Sequence, residues 1–265
     1  MRPIGLALLV LVLLLGCSGP YRHVVHEHRR ERPPPVRVPG TGVIPLVGAP
    51  PDAPVELTLV TFPTGRREFQ LPTDHGHEVI FLSFSSFSVG THDLRSGDAV
   101  RLPRDTPAMT VRPTASSPRA RAVLVRVRCT TDTPCAAGDP QVVSITAVPD
   151  RVIDGWDARV RVLFPTTPHD QTAASLARIS MALTGREMRI PPHLHETSAE
   201  MLLVINGNGT MHVGDQAVAL RPWVAIYVPP NTPHHLDGST DAPYLWQVFV
   251  PPEPETADQP ASSPR

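Results

Sequence analysis

The sequence contains no lysine, because all 24 of its basic residues are arginine. Chemistry that needs a lysine amine is therefore excluded, including Schiff-base catalysis, pyridoxal phosphate attachment and the P-loop. An excess of charge is also lacking, since 24 basic and 25 acidic residues give a formal net charge of -1. Nucleic acids attract basic surfaces, so no nucleic-acid partner is predicted.

Long helical patterns are missing as well. Proline accounts for 33 of the 265 residues, and it breaks helices while it suits turns and strand edges. From about residue 54 onward, short runs of Val, Ile, Leu, Phe and Thr are separated by turn residues. Asn206-Gly207 and Gly214-Asp215 are typical hairpin turns. Closely spaced antiparallel strands predict an all-β protein of the sandwich or jelly-roll type.

The N-terminus carries an apolar run from Ile4 to Leu15 that is too short to span a bilayer. Small residues follow it, which is typical of a signal peptide. The segment Leu14-Leu15-Gly16-Cys17 resembles the lipobox of bacterial lipoproteins. That resemblance implies a signal peptide over residues 1–17, a lipid anchor on Cys17 and an outer-membrane location facing the periplasm. The alternative is an ordinary cleaved signal with an incidental cysteine.

Residues 18–53 are rich in Pro, Gly and Arg and are predicted to form a linker, partly in the polyproline II conformation. His23, His26 and His28 lie within it, either as solvated side chains or as a weak metal or polyanion patch. At the other end of the chain, residues 253–265 are predicted to be a disordered tail.

Two cysteines remain once Cys17 is assigned to lipid, namely Cys129 and Cys135. An even pair outside the cytoplasm favours a disulfide. A redox-active pair is the alternative, although the spacing is not that of a C-x-x-C motif.

The two halves of the chain resemble each other. Leu102–Ala108 matches Val228–His234 in its prolines and its Thr-Pro step, and Glu78–Leu82 matches Glu200–Val204. These landmarks recur in the same order at offsets of 122 to 126 residues. Duplication is favoured over chance similarity between two β domains. The predicted domains are residues 54–150 and residues 151–252.

The segment around His193 carries the clearest chemical signal. His193 and His195 are two residues apart, so on a strand both imidazoles point to one side. Glu200 follows after a short break, and His234 lies farther downstream. Three neutral imidazoles and one carboxylate suit a divalent first-row ion and leave coordination positions open. The alternative is a set of histidines that bind no metal.

Other polar residues nearby are harder to place. Strand alternation sends His235 to the side opposite His234. His212 either contributes to the pocket or is solvated. Four further residues could line the barrel, although the sequence does not fix the direction of their side chains: Arg189, Tyr227, Trp246 and Gln247.

These residues resemble the motifs of the cupin superfamily. The first motif, His-x-His, four residues, Glu, six residues and Gly, matches His193, His195, Glu200 and Gly207. The second motif matches Pro229, Asn231 and His234, with Asn in place of Gly.

The resemblance implies two tandem cupin-like jelly-roll β-barrels. In the second, the three histidines and Glu200 would hold Fe, Mn, Ni or Zn. The first half is predicted to be a degenerate cupin-like domain, because Ala108 replaces the second-motif histidine. In addition, His77 is followed directly by Glu78, so the residues that separate His from Glu in the first motif are missing after His75 and His77.

Three functions are compatible with this sequence. The first is a metal-dependent enzyme of the dioxygenase, isomerase or lyase type acting on a small molecule. The second is a non-catalytic module that binds a small ligand or a metal, and the third is a structural lipoprotein. Four ligands argue against the third function, but the fold does not decide between the other two. No catalytic base stands out beside the metal, and a homodimer is compatible with this fold class.

Overall fold

The computed structural model describes residues 25–26, 36–38, 41–45, 54–63, 68–71, 76–114, 119–131, 134–135, 137–152, 158–164, 175–181, 189–237 and 244–250. Within these ranges the regular structure is β-strand apart from a short 3-10 helix at Ile145–Ala147, so the all-β prediction is confirmed. Cys17 and the predicted signal peptide and tail lie outside the described residues. Among the described residues, no helix has the length and apolarity to span a membrane.

The first half consists of two antiparallel sheets. Its large sheet has seven strands in the order β12-β9-β6-β11-β4-β3-β2, and its small sheet has four in the order β5-β10-β7-β8. The strands are β2 (Val36–Val38), β3 (Thr41–Pro45), β4 (Val55–Pro63), β5 (Phe69–Gln70), β6 (His77–Ser83), β7 (Phe87–Val89), β8 (His92–Leu94), β9 (Ala99–Leu102), β10 (Thr110–Pro113), β11 (Arg119–Arg128) and β12 (Gln141–Val143).

The second half repeats this plan. Its large sheet has the order β1-β20-β17-β22-β15-β14-β13, and its small sheet has the order β16-β21-β18-β19. The strands are β1 (Val25–His26), β13 (Arg151–Val152), β14 (Ala158–Phe164), β15 (Ser175–Met181), β16 (Ile190–His193), β17 (Ala199–Asn206), β18 (Gly209–Val213), β19 (Gln216–Leu220), β20 (Ala225–Val228), β21 (His234–Asp237) and β22 (Tyr244–Val250).

Three short strands lie in the segment that the sequence predicts as a linker. β1 pairs with β20 of the second half, while β2 and β3 extend the large sheet of the first half beyond β4. Within residues 18–53 the structure thus describes three strands, while the linker itself stays a prediction. Short runs such as Val36–Val38 can pair with a free sheet edge even in a proline-rich sequence, because edge strands tolerate proline.

The buried side chains form three apolar clusters. One lies between the two sheets of the first half and includes Phe81 and Phe87, and a second lies between the sheets of the second half and includes Leu202 and Ile226. The third joins the two large sheets face to face and includes Trp246. Each large sheet is therefore buried on both faces, which explains why its central strands are almost continuously apolar.

Aromatic and guanidinium groups add to this contact between the halves. The ring of Phe84 lies 5.5 Å from that of Trp223, edge to face, and the guanidinium of Arg121 lies 5.3 Å from the same indole. Arg101 of the first half lies over the ring of Phe164 of the second, 4.3 Å from its centre. Such contacts stabilise an interface beyond the area that they bury.

Backbone conformation supports the duplication. Asp105 and Asn231 occupy equivalent turns and have φ angles of 65° and 57°. Gly97 and Trp223, also equivalent, have φ angles of 91° and 70°. Left-handed backbone is uncommon for residues other than glycine. Its recurrence at corresponding turns is therefore better explained by a repeated unit than by chance.

The strand register corrects one part of the sequence alignment between the halves. The residue before the matching proline is Leu102 in the first half and Val228 in the second. Leu102 pairs with Val79 on the neighbouring strand, and Val228 pairs with Glu200. Val79, not Glu78, therefore occupies the position of Glu200. A shift of one residue reverses the face of the sheet, so Glu78 faces the contact between the halves. His77 begins β6 two residues before Val79, and His75 lies outside the described residues.

The structure joins Cys129 and Cys135 in a disulfide with Cα atoms 5.2 Å apart. Cys135 is buried, and Cys129 packs against the cluster between the large sheets. The burial of Cys135 favours a structural bridge over a redox-active pair, because reactive cysteines are partly exposed and Cys129 alone is so here. Closing so short a loop stabilises the folded state by about 2–3 kcal/mol in the chain-entropy account.

Candidate metal centre

The two sheets of the second half bring four side chains together. His193 ends β16 and is the cross-strand partner of His234 at the start of β21 in the small sheet. Glu200 comes from β17 of the large sheet, and His195 lies in the loop between β16 and β17 rather than on a strand. All four side chains are buried, with at most 6% of their surface exposed. The predicted ligands therefore meet in the interior of the second half.

The donor atoms of these four residues converge. One nitrogen or oxygen from each lies within 4.8 Å of those from the others. Nε2 of His234 lies 2.7 Å from Oε2 of Glu200, and Nε2 of His195 lies 3.5 Å from the same oxygen. The carboxylate of Glu200 is thus the common neighbour of two imidazoles.

Backbone carbonyls fix the orientation of two imidazoles. Nδ1 of His193 donates to the carbonyl of Pro191 at 2.9 Å, and Nδ1 of His234 donates to that of Thr232 at 2.8 Å. A ring nitrogen that donates to a carbonyl carries the proton, so the neutral ring of His193 keeps its lone pair on Nε2. Histidines that bind metals are usually held in this way.

The two loops next to the cluster, one carrying His195 and one preceding His234, are also joined. The backbone N–H of Asn231 donates to the carbonyl of His195 at 2.6 Å. Asn231 adopts left-handed backbone there, which asparagine tolerates better than most residues. The asparagine that replaces the glycine of the second motif is thus compatible with the turn that the motif requires.

The environment sets the protonation of two of these groups. Burial lowers the pKa of His193 from 6.5 to about 4, with a further contribution from nearby His234. Burial also raises the pKa of Glu200, but the attraction of His234 and hydrogen bonds from His195 and His234 outweigh it. The pKa of Glu200 is therefore held well below its usual range. A neutral imidazole and an ionised carboxylate are the forms that bind metals.

The residues present fit a divalent first-row ion. Imidazole and carboxylate donors suit iron, manganese, nickel and zinc alike, so the donor set does not select among them. Four protein ligands would leave two positions open on a six-coordinate ion. His193, His195, Glu200 and His234 are therefore a candidate metal centre.

Two neighbours of the cluster come from β22. The side-chain amide of Gln247 donates to Oε1 of Glu200, and the ring of Phe249 lies 4.8 Å from that of His195. The sequence indicated Gln247 only as one of four residues that could line the barrel, and it did not indicate Phe249. Gln247 and Phe249 are two residues apart on β22, so their side chains point to the same face of the sheet. Once one of them is known to point towards the cluster, the other is expected there as well.

The other residues considered from the sequence lie elsewhere. Tyr227 and Trp246 belong to the cluster between the large sheets, and Arg189 is exposed. His212 and His235 are partly exposed, and they stack on each other rather than joining His234. Among the residues that the structure describes, the buried metal-ligand cluster thus consists of the four predicted residues.

The low pKa of His193 predicts a pH-dependent stability of the metal-free protein. Below pH 6.5 an unfolded chain binds a proton on this imidazole, whereas the folded protein resists it until about pH 4. The contribution of His193 to the free energy of unfolding is therefore complete above pH 6.5. As the pH falls to about 4, the free energy of unfolding decreases by about 3 kcal/mol because of this group.

Urea unfolding with chelator present, above pH 6.5 and near pH 4, measures this loss. The His193→Gln variant has no imidazole at this position and is expected to lose about 3 kcal/mol less than wild type between the two conditions. His92→Ala, in the small sheet of the first half, serves as the control and is expected to behave like wild type. Equal losses in wild type and His193→Gln would contradict the prediction.

Residues 180–250 match the Cupin domain family. No curated protein matches the chain in sequence. Among solved structures, protein Ylba from E. coli is similar, with a TM-score of 0.67 and 13% identity over 89% of this chain and 97% of that chain.

Two further structures extend the similarity. The oxalate decarboxylase of Lactobacillus farciminis, solved as a formate complex, has a TM-score of 0.59 and 9% identity over 74% of this chain and 76% of its own. Vicilin from Corylus avellana, hazelnut, has a TM-score of 0.55 and 11% identity over 74% of this chain and 75% of its own. At these identities the similarity shows the shared fold alone.

Proposed function

We propose that the second half of this protein holds one divalent first-row ion and acts through it on a small carboxylate, by binding it and transforming it. The observation that carries the proposal is the convergence of four buried donor atoms, three imidazole and one carboxylate, within 4.8 Å. A bound ion would supply Lewis acidity and open positions for an oxygen donor. The chain itself supplies the three imidazole side chains and the ionised carboxylate of Glu200.

Gln247 and Phe249, the two neighbours of the cluster on β22, have different roles in this proposal. Gln247 holds one oxygen of Glu200, which directs the other towards His195 and His234. The ring of Phe249 covers one side of His195. An apolar ring packed against one of the histidines would exclude water and strengthen the electrostatic interactions inside the site.

Small carboxylates are the class to test first, because a protein of similar fold is an oxalate decarboxylase solved with formate. The first half is proposed to have no metal of this kind, because Val79 stands at the position of Glu200 and Ala108 at that of His234. In this proposal it stabilises the second half through the contact between the large sheets.

The experiment uses the full mature chain loaded with Mn²⁺ and titrated with oxalate or formate. Its electron paramagnetic resonance spectrum is expected to change as the carboxylate enters the metal's coordination. In Glu200→Gln this change is expected to be lost along with tight metal binding, whereas His92→Ala is expected to behave like wild type. Consumption of the added carboxylate is expected in the same samples. Binding without consumption would contradict the catalytic part of the proposal and would identify a non-catalytic module instead.

Two further results would contradict the proposed function. A protein that binds manganese tightly but whose spectrum is unchanged by either carboxylate would contradict the proposed ligand class. One that binds no manganese at the buried centre would contradict the metal centre itself.

The protein is further proposed to be anchored in the bacterial envelope through acylated Cys17, facing the periplasm. The support is the order of apolar run, small residue and cysteine at the N-terminus. Mass spectrometry of the mature protein is expected to find an N-terminal Cys17 carrying lipid, and Cys17→Ser is expected to release the protein from membranes. An unmodified N-terminus at another residue would contradict the anchor.

A further inference from the structure

A second group of metal-binding side chains lies on the outer face of the small sheet of the second half. It consists of His212 on β18 and of His235 and Asp237 on β21, and we call it the outer-face cluster. β18 pairs with β21 so that His212 stands directly opposite His235. Met211 and Val213, the neighbours of His212, are buried. Alternation therefore directs the imidazole of His212 outward.

The same alternation separates this cluster from the buried centre. His234 and His235 are adjacent on β21, but His234 is buried and His235 is about one-third exposed. The two clusters thus lie on opposite faces of one sheet. An ion bound at the outer-face cluster would be distinct from an ion bound between the sheets.

The side chains of the outer-face cluster contact one another although they are partly exposed. The rings of His212 and His235 are stacked, with centres 4.3 Å apart and planes at 1° to each other. Nε2 of His212 lies 2.9 Å from Oδ2 of Asp237, and Nε2 of His235 lies 3.9 Å from Oδ1. The two Nε2 atoms are therefore directed towards one carboxylate, which offers an oxygen to each.

These separations match those between ligands of one metal ion. With bonds of about 2.0–2.1 Å, the ligand atoms of a tetrahedral zinc ion lie about 3.3 Å apart. The two observed nitrogen to oxygen distances, 2.9 and 3.9 Å, fall on either side of that value. Rotation of the exposed Asp237 side chain would equalise them, and rotations of the two partly exposed imidazoles would turn their parallel Nε2 lone pairs towards one ion.

We propose that His212, His235 and Asp237 form a second binding site for a divalent ion of the zinc class. Two imidazoles and one carboxylate provide three ligands, and solvent completes the coordination. The exposed fractions of the side chains, 30%, 33% and 64%, give an ion direct access from solution. The site therefore exchanges its ion more readily than the buried centre, and it does not depend on the proposed function of that centre.

Equilibrium dialysis of the full mature chain against buffered zinc tests this site. Wild type is expected to bind one zinc ion more than His212→Ala, whatever the buried centre contributes. Asp237→Asn keeps the size of the side chain but removes its charge, and it is expected to weaken this ion by about tenfold or more. His92→Ala is the matched histidine control and is expected to bind as wild type does.

A second measurement on wild type keeps the proposal testable if a variant does not fold. In nuclear magnetic resonance spectra recorded during a zinc titration, the ring signals of His212 and His235 are expected to shift together with the same equivalent of zinc. Equal zinc counts in wild type, His212→Ala and Asp237→Asn would overturn the proposal. Histidine ring signals that do not respond to zinc would overturn it as well.

Discussion

The His234→Ala variant is expected to lose nearly all metal from the buried centre, falling from about one ion per chain to a small fraction of one. Nε2 of His234 lies 2.7 Å from the carboxylate of Glu200, and its Nδ1 is held by the carbonyl of Thr232. The substitution therefore removes one of four ligands that the fold has already oriented. Loss of a supporting residue outside the ligand set costs about 10–100-fold in affinity, and loss of a ligand costs at least as much.

Metal analysis after exhaustive dialysis measures this effect. The variants are best made in the His212→Ala background, so that the outer-face cluster contributes no ion. His92→Ala is expected to retain the metal of its parent, and circular dichroism checks that each variant is folded. A folded His234→Ala protein with the full metal content of its parent would contradict the assignment of this residue as a ligand.

Breaking the buried ion pair of the first half is expected to destabilise the protein by about 3–5 kcal/mol. Nε of Arg101 lies 3.3 Å from Oε1 of Glu78, and both side chains are at most 3% exposed. In Arg101→Leu the buried carboxylate of Glu78 loses the guanidinium that balances its charge at 3.3 Å. The substitution also removes the guanidinium from the ring of Phe164 in the other half.

Urea unfolding measures this loss, and the chain offers a matched control. Arg112 and Glu68 form an ion pair of similar length, 3.1 Å, whose side chains are 60% and 56% exposed. Arg112→Leu is expected to cost less than about 1 kcal/mol. The double variant Glu78→Leu with Arg101→Leu is expected to regain much of the stability, because it removes both buried charges together. Equal costs in Arg101→Leu and Arg112→Leu would contradict the argument.

The buried cluster of three histidines and one glutamate was predictable from sequence because its signals are local. The His-x-His spacing, Glu200 and the later Pro-Asn-x-x-His segment name four residues that the structure brings together. The turns were predictable for a similar reason, since Asn, Asp and Gly mark the hairpins that connect the strands. These signals depend on short stretches of chain and little on packing between sheets.

The sequence does not predict which side chains of the large-sheet strands point to which face of the sheet. Both faces of these sheets are buried, so β6 has no polar face that distinguishes Glu78 from Val79. The same burial conceals the directions of Tyr227 and Trp246, which face the other half, and of Gln247, which faces Glu200. The contact between the halves that decides these directions is made by residues far apart in sequence.

Elemental analysis of wild-type protein isolated from the cells that produce it naturally, without added metal, shows whether the buried cluster holds an ion. We predict about one iron, manganese, nickel or zinc ion per chain that survives dialysis, held at His193, His195, Glu200 and His234. Folded wild-type protein with no such ion, and with no capacity to take one up, would contradict the claim.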